Sequence, residues 1–107
     1  MEISYLPINI NNIQKRPDKF KTNLSDQDYI FEIFYNPVGK YFSFNLYDED
    51  EKPIIFGRRI TYGTNMLGNV IKILDIKIYP LDKTDQAEKI GITLENFMTS
   101  VKPYIVG

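Results

Sequence analysis

The middle of the chain alternates apolar and polar side chains with a period of two, as β-strands with two different faces do. Residues 29–35 put one set of large side chains on a single face: Tyr29, Phe31, Ile33 and Tyr35. Residues 41–47 put a second set on one face: Phe42, Phe44 and Leu46. The other face of this second segment carries Ser43 and Asn45 between two Tyr, and we expect it to face water. The pattern predicts two neighbouring amphipathic strands.

Short turn-forming segments connect these strands. The sequence Asn36-Pro37-Val38-Gly39 predicts a type I turn, with Pro fixing φ at the second position and Gly taking the left-handed conformation at the fourth. The polar run 48–53 leads into a third strand at residues 54–62, where Gly57 predicts a bulge. Three consecutive strands joined by short turns predict an antiparallel meander.

The segment after the meander predicts another strand. Residues 62–65 have the composition of a turn, and the β-branched run 70–81 favours one long strand. We expect Pro80 to end this strand, because proline has no N–H to donate to a neighbour.

The C-terminal residues predict a short helical turn and a closing strand. Asp85 and Glu88 are placed to cap one helical turn, which Gly91 would close. Residues 93–98 fit a helical stripe as well as a strand, and we expect one turn of helix there, followed by a strand at residues 104–106.

These elements predict an all-β fold, either a small antiparallel β-sandwich or a partly closed β-barrel, with a short helical turn near the C-terminus. We expect residues 1–107 to form a single β domain. In it, residues 1–18 supply a first short strand around Ile3 and Tyr5 and a polar connector, and residues 19–107 supply the β core. A chain of this length buries roughly two thirds of its unfolded surface, so one hydrophobic core is sufficient.

The composition excludes several chemistries. The chain has no Cys and no His, so it has no Ser-His-Asp or Cys-His nucleophile and no zinc site of the usual ligands. We predict no cofactor, no metal and no catalytic residue. The formal net charge of −1 argues against a nucleic-acid partner. No apolar run approaches the roughly 18 residues that span a bilayer, and the first residues do not resemble a signal peptide, so we expect no membrane partner.

The content of aromatic residues is high, with 8 Tyr and 7 Phe. This many rings fits either a strongly β core or a surface that a partner covers. We expect more ring surface than one compact molecule can bury. Four residues are the predicted interface: Tyr41, Tyr47, Arg59 and Tyr62.

Two charge clusters have simple structural interpretations. The acidic run 48–51 does not fit an EF-hand, because the sixth and twelfth positions hold Pro53 and Arg59 instead of Gly and Glu, so we predict a solvated hairpin turn. Arg58 and Arg59 are adjacent in a predicted strand and point to opposite faces, so they cannot clamp one phosphate. We expect a surface Arg to pair with the acidic turn, or one Arg to lie at an interface.

Two other classes of function remain as alternatives. Tyr41 and Tyr47 could stack bases in an OB-like binding module for single-stranded nucleic acid, or the domain could bind carbohydrate, but Lys and Arg are scattered and predict no basic groove. An enzyme would need convergent carboxylates, and Glu32, Asp75 and Glu95 lie on separate predicted elements.

Several segments resemble small tailed-phage proteins of the cyanophage baseplate plug type. The resemblance covers residues from about 20 to 106. It rests on these positions: Phe31–Asn36, Phe42–Asp50, Pro53, Ile54, Gly57, Ile60, Tyr62, Gly63, Asp82 and Thr93–Phe97. In two places the chain departs from the pattern, because Glu51 stands where the family usually carries Gly and the connector 9–19 is longer than usual.

The resemblance implies a non-enzymatic structural subunit. Its location would be the baseplate or tail hub of a phage virion, or of a phage-derived contractile particle such as an R-type bacteriocin, after synthesis in the bacterial host cytoplasm. Its partners would be other baseplate, hub and tail-tube proteins, and a homo-oligomer such as a ring or trimer stays open.

Overall fold

The chain forms two antiparallel sheets and one short helix in the computed structural model, which describes residues 4–68, 70, 75–84 and 86–106. The elements in these ranges are β1 (Ser4–Tyr5), β2 (Asp18–Leu24), β3 (Gln27–Asn36), β4 (Tyr41–Asp48), β5 (Pro53–Arg59), β6 (Lys77–Asp82), α1 (Ala87–Ile90) and β7 (Val101–Val106). One sheet has the order β2-β3-β4-β5 and the other β1-β7-β6. The all-β prediction is confirmed, and the described strands form two sheets rather than a closed barrel.

The predicted meander is confirmed by the strand register. In the β3–β4 pair, Phe31 lies opposite Leu46 and Ile33 lies opposite Phe44. All four side chains are buried, as the period-two pattern predicted. Strand β5 pairs with β4 and ends at Arg59, earlier than predicted, although the N–H of Ile60 still donates to the Phe42 carbonyl at 2.8 Å.

The first hairpin turn differs from the prediction in one residue. Asn36 Oδ1 accepts the N–H groups of Val38 and Gly39, both at 2.9 Å. The residue with positive φ is Lys40, at +59°, so the predicted left-handed Gly39 is wrong. Position 39 favours glycine for a steric reason instead, because a Cβ there would lie 2.5 Å from the Tyr41 ring.

The predicted bulge at Gly57 is confirmed. Gly57 has a φ of +66°, and the β4–β5 register shifts there, with Phe44 opposite Arg58 but Leu46 opposite Ile55. The extra residue on β5 bends the strand, which glycine permits because it has no Cβ.

Strand β2 was not predicted as a separate element. It pairs along its whole length with β3 and lies at an edge of the sheet, so most of its side chains are exposed or half-buried. Its few apolar side chains include Phe20, which stacks on Phe31 at 5.7 Å between ring centroids. A half-solvated edge strand has little hydrophobic alternation, so the pattern alone did not separate it from the connector.

The prediction of one long strand over residues 70–81 is wrong. Asp75 lies in a turn and Ile76 lies outside any strand, and residues 71–74 lie outside the described part. Pro80 does not end β6 but lies within it, opposite Pro103 of β7. Strand β6 is at the edge of its sheet, where a missing N–H is tolerated.

The C-terminal helical turn and closing strand are confirmed with shifted boundaries. Gly91 caps the C-terminus of helix α1, with a φ of +77° and its N–H donated to the Ala87 carbonyl at 2.7 Å. Gln86 occupies the N-cap without a side-chain cap bond, while the predicted cap Asp85 and the predicted strand residue Ile3 lie outside the described residues. A single helical hydrogen bond joins Phe97 N–H to the Thr93 carbonyl, before β7 begins earlier than predicted.

The core lies between the two sheets. Strands β3, β4 and β5 contribute most of its rings and aliphatic side chains, and the segments beside the second sheet contribute the rest, among them Leu6, Ile78, Phe97 and Val101. Phe42 and Phe97 join the two parts, with ring centroids 4.7 Å apart. Both sheets therefore share one set of buried contacts.

Candidate protein-protein interface

An open groove of about 680 Å³ lies between the ends of β4 and β5 and the helix α1. Three of the four predicted interface residues, Tyr41, Arg59 and Tyr62, line it. The remaining lining residues come from the turn before β4, the chain after β5 and the segment 88–93: Lys40, Ile60, Thr61, Glu88, Lys89, Ile90, Gly91, Ile92 and Thr93. The fold thus brings together residues that are far apart in sequence.

Tyr41 and Arg59 form a stacked pair at one side of the groove. The guanidinium carbon of Arg59 lies 4.6 Å from the centroid of the Tyr41 ring, within the range of a cation–π interaction. Asn36 Nδ2 donates to the Tyr41 hydroxyl at 3.2 Å. The Tyr41 ring is thereby tied to the hairpin turn, and the exposed Arg59 guanidinium packs against it.

Tyr62 is fixed by the backbone of strand β6. Its hydroxyl accepts the N–H of Asp82 at 3.1 Å and donates to the Asp82 carbonyl at 3.4 Å. The Asp82 carboxylate in turn accepts the N–H and the hydroxyl of Thr84, and these bonds hold the pKa of Asp82 below its ordinary value. One wall of the groove is therefore tied to the second sheet.

The groove is more basic than the chain as a whole. Its lining includes Lys40, Arg59 and Lys89 against one carboxylate, Glu88, whereas the full chain has a net charge of −1. The expectation that no basic groove exists is therefore wrong here. The sequence did not reveal it, because the three cations lie on separate elements.

Exposed apolar surface is concentrated in a few side chains. The 8 Tyr and 7 Phe all lie in the described part, and among them only Tyr5, at 41%, and Phe56, at 75%, are exposed. The other rings are buried or half-buried, so the exposed ring surface is smaller than expected. Ile90, 70% exposed, is a groove residue that the sequence did not single out, because its position in α1 gave no periodic signal.

Tyr47 lies away from the groove, at the other end of β4. Its hydroxyl donates to Glu32 Oε1 at 3.0 Å and accepts from Asn45 Nδ2 at 3.1 Å, and Lys19 Nζ lies 5.9 Å from its ring. Asn45 itself is buried, so the prediction that this face of β4 is wet is wrong at that position. Tyr47 serves a network within the fold.

The two adjacent arginines have different partners, on opposite sides of β5. Arg58 donates to the Met66 carbonyl at 3.2 Å, while Arg59 stacks on Tyr41. The expected pairing of a surface Arg with the acidic turn is wrong, since the ion pair of that turn in the described structure joins Glu51 to Lys19 at 3.2 Å.

The acidic run forms the predicted hairpin turn. Asp48 is buried at its base, and its Oδ1 accepts the N–H groups of Asp50 and Lys52 at 2.9 Å each. Glu51 adopts a positive φ of +63°. In the described ranges, no three residues of the types His, Cys, Asp and Glu are grouped to hold a metal ion.

The other predicted acidic candidates lie on different elements. Glu32 on β3 bonds to Asn45 and Tyr47, Asp75 lies in a turn before β6, and Glu95 lies in an exposed turn before β7. Among the residues that the structure describes, no helix is long and apolar enough to cross a membrane.

Comparison with protein families identifies the family of the chain. The family model described as the cyanophage baseplate Pam3 plug gp18 matches residues 3–107. The chain belongs to this baseplate plug family. The resemblance drawn from the meander and the C-terminal segment is thereby confirmed. No curated protein matches the chain.

Membership of the plug family gives the general setting of the chain. It indicates a structural protein of a phage baseplate, implies interaction with other baseplate proteins, and implies a location in the virion baseplate. Glu51, where the chain departs from the expected Gly, has a positive φ, a conformation that glycine adopts without a steric cost.

Proposed function

We propose that the chain is a non-enzymatic assembly subunit that joins a baseplate or tail hub through protein-protein contacts at the groove. The observation that carries the proposal is the convergence of Tyr41, Arg59 and Tyr62 around one open groove, beside the exposed Ile90, in a member of a baseplate plug family.

The chemistry of the groove suits a protein interface. Tyr and Arg are the residue types that contribute most often to binding energy at interfaces, because they combine apolar area with polar tips. Tyr41 and Tyr62 are held by Asn36 and by the backbone of Asp82, so little side-chain freedom is lost when a partner binds.

The proposal includes the finer setting. Residues 1–107 act as a single β domain without a cofactor, made in the bacterial host cytoplasm and assembled into the particle. Its neighbours are hub, tail-tube and other baseplate proteins. The particle is an infectious phage or a contractile bacteriocin. Copies of the chain form a ring or a trimer around the axis of the tail. Tyr47 acts at a second contact, beside the exposed Lys19 and Glu51.

Incorporation of variants into particles tests the proposal. A tagged chain with Tyr41→Ser and Arg59→Ser would be supplied in a producing strain that lacks the gene, and its copies per purified particle counted by quantitative mass spectrometry. We expect a strong decrease relative to the unsubstituted chain, with the melting temperature of the isolated variant recorded to show that it is folded.

The chain offers a matched control pair. Lys102 Nζ lies 4.7 Å from the centroid of the Tyr5 ring, and neither residue lines the groove, so Tyr5→Ser with Lys102→Ser removes a similar cation–π pair outside it. We expect this variant to be incorporated normally. Equal incorporation of a folded groove variant and this control would overturn the proposal.

A further inference from the structure

We propose that the groove binds an acidic segment of a partner protein, with Arg59 pairing to a carboxylate and Ile90 covered by an apolar side chain of the same segment. The inference rests on the proposed function and specifies the chemistry of the partner.

The charges of the groove are complementary to those of an acidic segment. Three basic side chains and one acidic side chain line the groove of a chain that is acidic overall. This excess of positive charge attracts an acidic segment to the groove.

Arg59 is placed to pair with a carboxylate of the partner. Its side chain is exposed, its guanidinium is stacked on the Tyr41 ring, and in the described structure it forms no ion pair. A planar guanidinium can form two parallel hydrogen bonds to a carboxylate. Arg58, one residue earlier, already donates a hydrogen bond to the Met66 carbonyl.

Apolar side chains lie beside the cations in the groove. Ile90 is 70% exposed, and Ile60 and Ile92 line the same groove. An aliphatic side chain in this position is stabilised when a partner side chain removes it from water. A segment that carries both acidic and aliphatic residues satisfies the two features together.

Single-stranded nucleic acid fits these features less well. Stacking of bases needs free aromatic faces, but Arg59 lies over the Tyr41 ring and Tyr62 is anchored by its hydroxyl to β6. Ile90 also offers bases no polar partner.

A binding measurement on the full chain tests the inference. The probe is a short fluorescent peptide that alternates Glu and Leu, followed by fluorescence anisotropy, with a peptide that alternates Lys and Leu and with oligothymidine as comparison probes. We expect the Glu-Leu peptide to bind and the Lys-Leu peptide not to bind. Loss of one exposed charged contact, in Arg59→Gln, should weaken binding roughly fivefold.

Charge-matched variants separate a local site from general attraction. Lys89→Glu changes a groove residue, and Lys77→Glu makes the same change of net charge on an exposed residue of β6 outside the groove. We expect the first variant and Ile90→Ser to weaken binding several-fold, and Lys77→Glu to change it little.

Three results would overturn the inference: no binding of the Glu-Leu peptide, equal weakening by Lys77→Glu and Lys89→Glu, or tighter binding of oligothymidine than of the peptide. If the groove variants lose incorporation while the acidic peptide does not bind, the groove is an interface for a partner of other chemistry, and only this inference fails. If incorporation is also unaffected, the proposed function fails as well.

Discussion

Asn45 Oδ1 accepts the backbone N–H of Gly57 at 2.7 Å, across the bulge that interrupts the β4–β5 ladder. A bulge leaves one backbone donor without its ladder partner, and here a buried side chain supplies the acceptor. The amide of Asn45 also donates to Glu32 Oε1 at 3.3 Å and to the Tyr47 hydroxyl at 3.1 Å. One side chain therefore links β3, β4 and β5.

The first prediction concerns this link. Asn45→Ala removes the acceptor of the Gly57 N–H and a donor to Glu32, so the free energy of unfolding should fall by about 1 to 3 kcal/mol. Urea unfolding followed by circular dichroism measures it. Ser43→Ala, a smaller change at a half-buried position of the same face, is the control, and equal stability of the two variants would show that Asn45 does not hold the bulge.

The second prediction concerns the strained turn at Glu51. A left-handed conformation costs a residue with a Cβ roughly 1 to 2 kcal/mol, and Glu51 has a φ of +63°. Glu51→Gly removes this strain and loses only an exposed ion pair to Lys19, which contributes little. We expect a higher urea midpoint for the variant, with the gain increasing at high salt.

Two further substitutions separate the contributions at this turn. Glu51→Gln keeps the strain and removes the charge, and Lys19→Gln removes the other member of the ion pair. Both should leave the midpoint close to that of the unsubstituted chain. A lower midpoint for Glu51→Gly than for Glu51→Gln would contradict the assignment of strain.

The third prediction concerns the loss of stability at low pH. Hydrogen bonds from Thr84, chiefly from its backbone N–H, lower the pKa of Asp82 below the ordinary value of 3.8. A lowered pKa means that the ionised form stabilises the fold; this contribution is complete above the unfolded-state value and is lost as the pH falls through the folded-state value. Asp82→Asn does not titrate, so its melting temperature should decrease less from about pH 5 downward. If the melting temperatures of the two proteins fell in parallel as the pH is lowered, the ionised Asp82 would not stabilise the fold.

The fourth prediction contrasts two phenylalanines. Phe97 is fully buried and contacts Phe42, so Phe97→Ala should lower the free energy of unfolding by about 3 to 5 kcal/mol. Phe56 is 75% exposed on β5, and Phe56→Ala should change stability by at most about 0.5 kcal/mol. Thermal unfolding of both variants checks this difference, and a large loss in Phe56→Ala would show that its ring is covered in the isolated protein.

The parts of the fold that the sequence predicted are those with local causes. The β3–β4 hairpin follows from the period-two pattern and the Asn36-Pro37 turn, and the bulge follows from Gly57 within a strand pattern. Strand β2 was missed because an edge strand with exposed side chains has no hydrophobic period.

The candidate site was predictable only in part, for a different reason. Tyr41, Arg59 and Tyr62 were singled out one by one from residue type, but their convergence depends on the pairing of β4 with β5 and on the bond from Tyr62 to Asp82. Lys89 and Ile90 lie at the groove because α1 packs beside β6. No local sequence pattern predicts this packing.

Photocrosslinking inside assembled particles tests the central claim most directly. Benzoylphenylalanine would replace Ile90 in the groove or, as a control, the exposed Lys21 on β2, and the crosslinked products would be identified by mass spectrometry. The account predicts a crosslink from position 90 to another protein of the baseplate or hub, and a much weaker one from position 21. Fully incorporated chains with no crosslink from position 90 would contradict it.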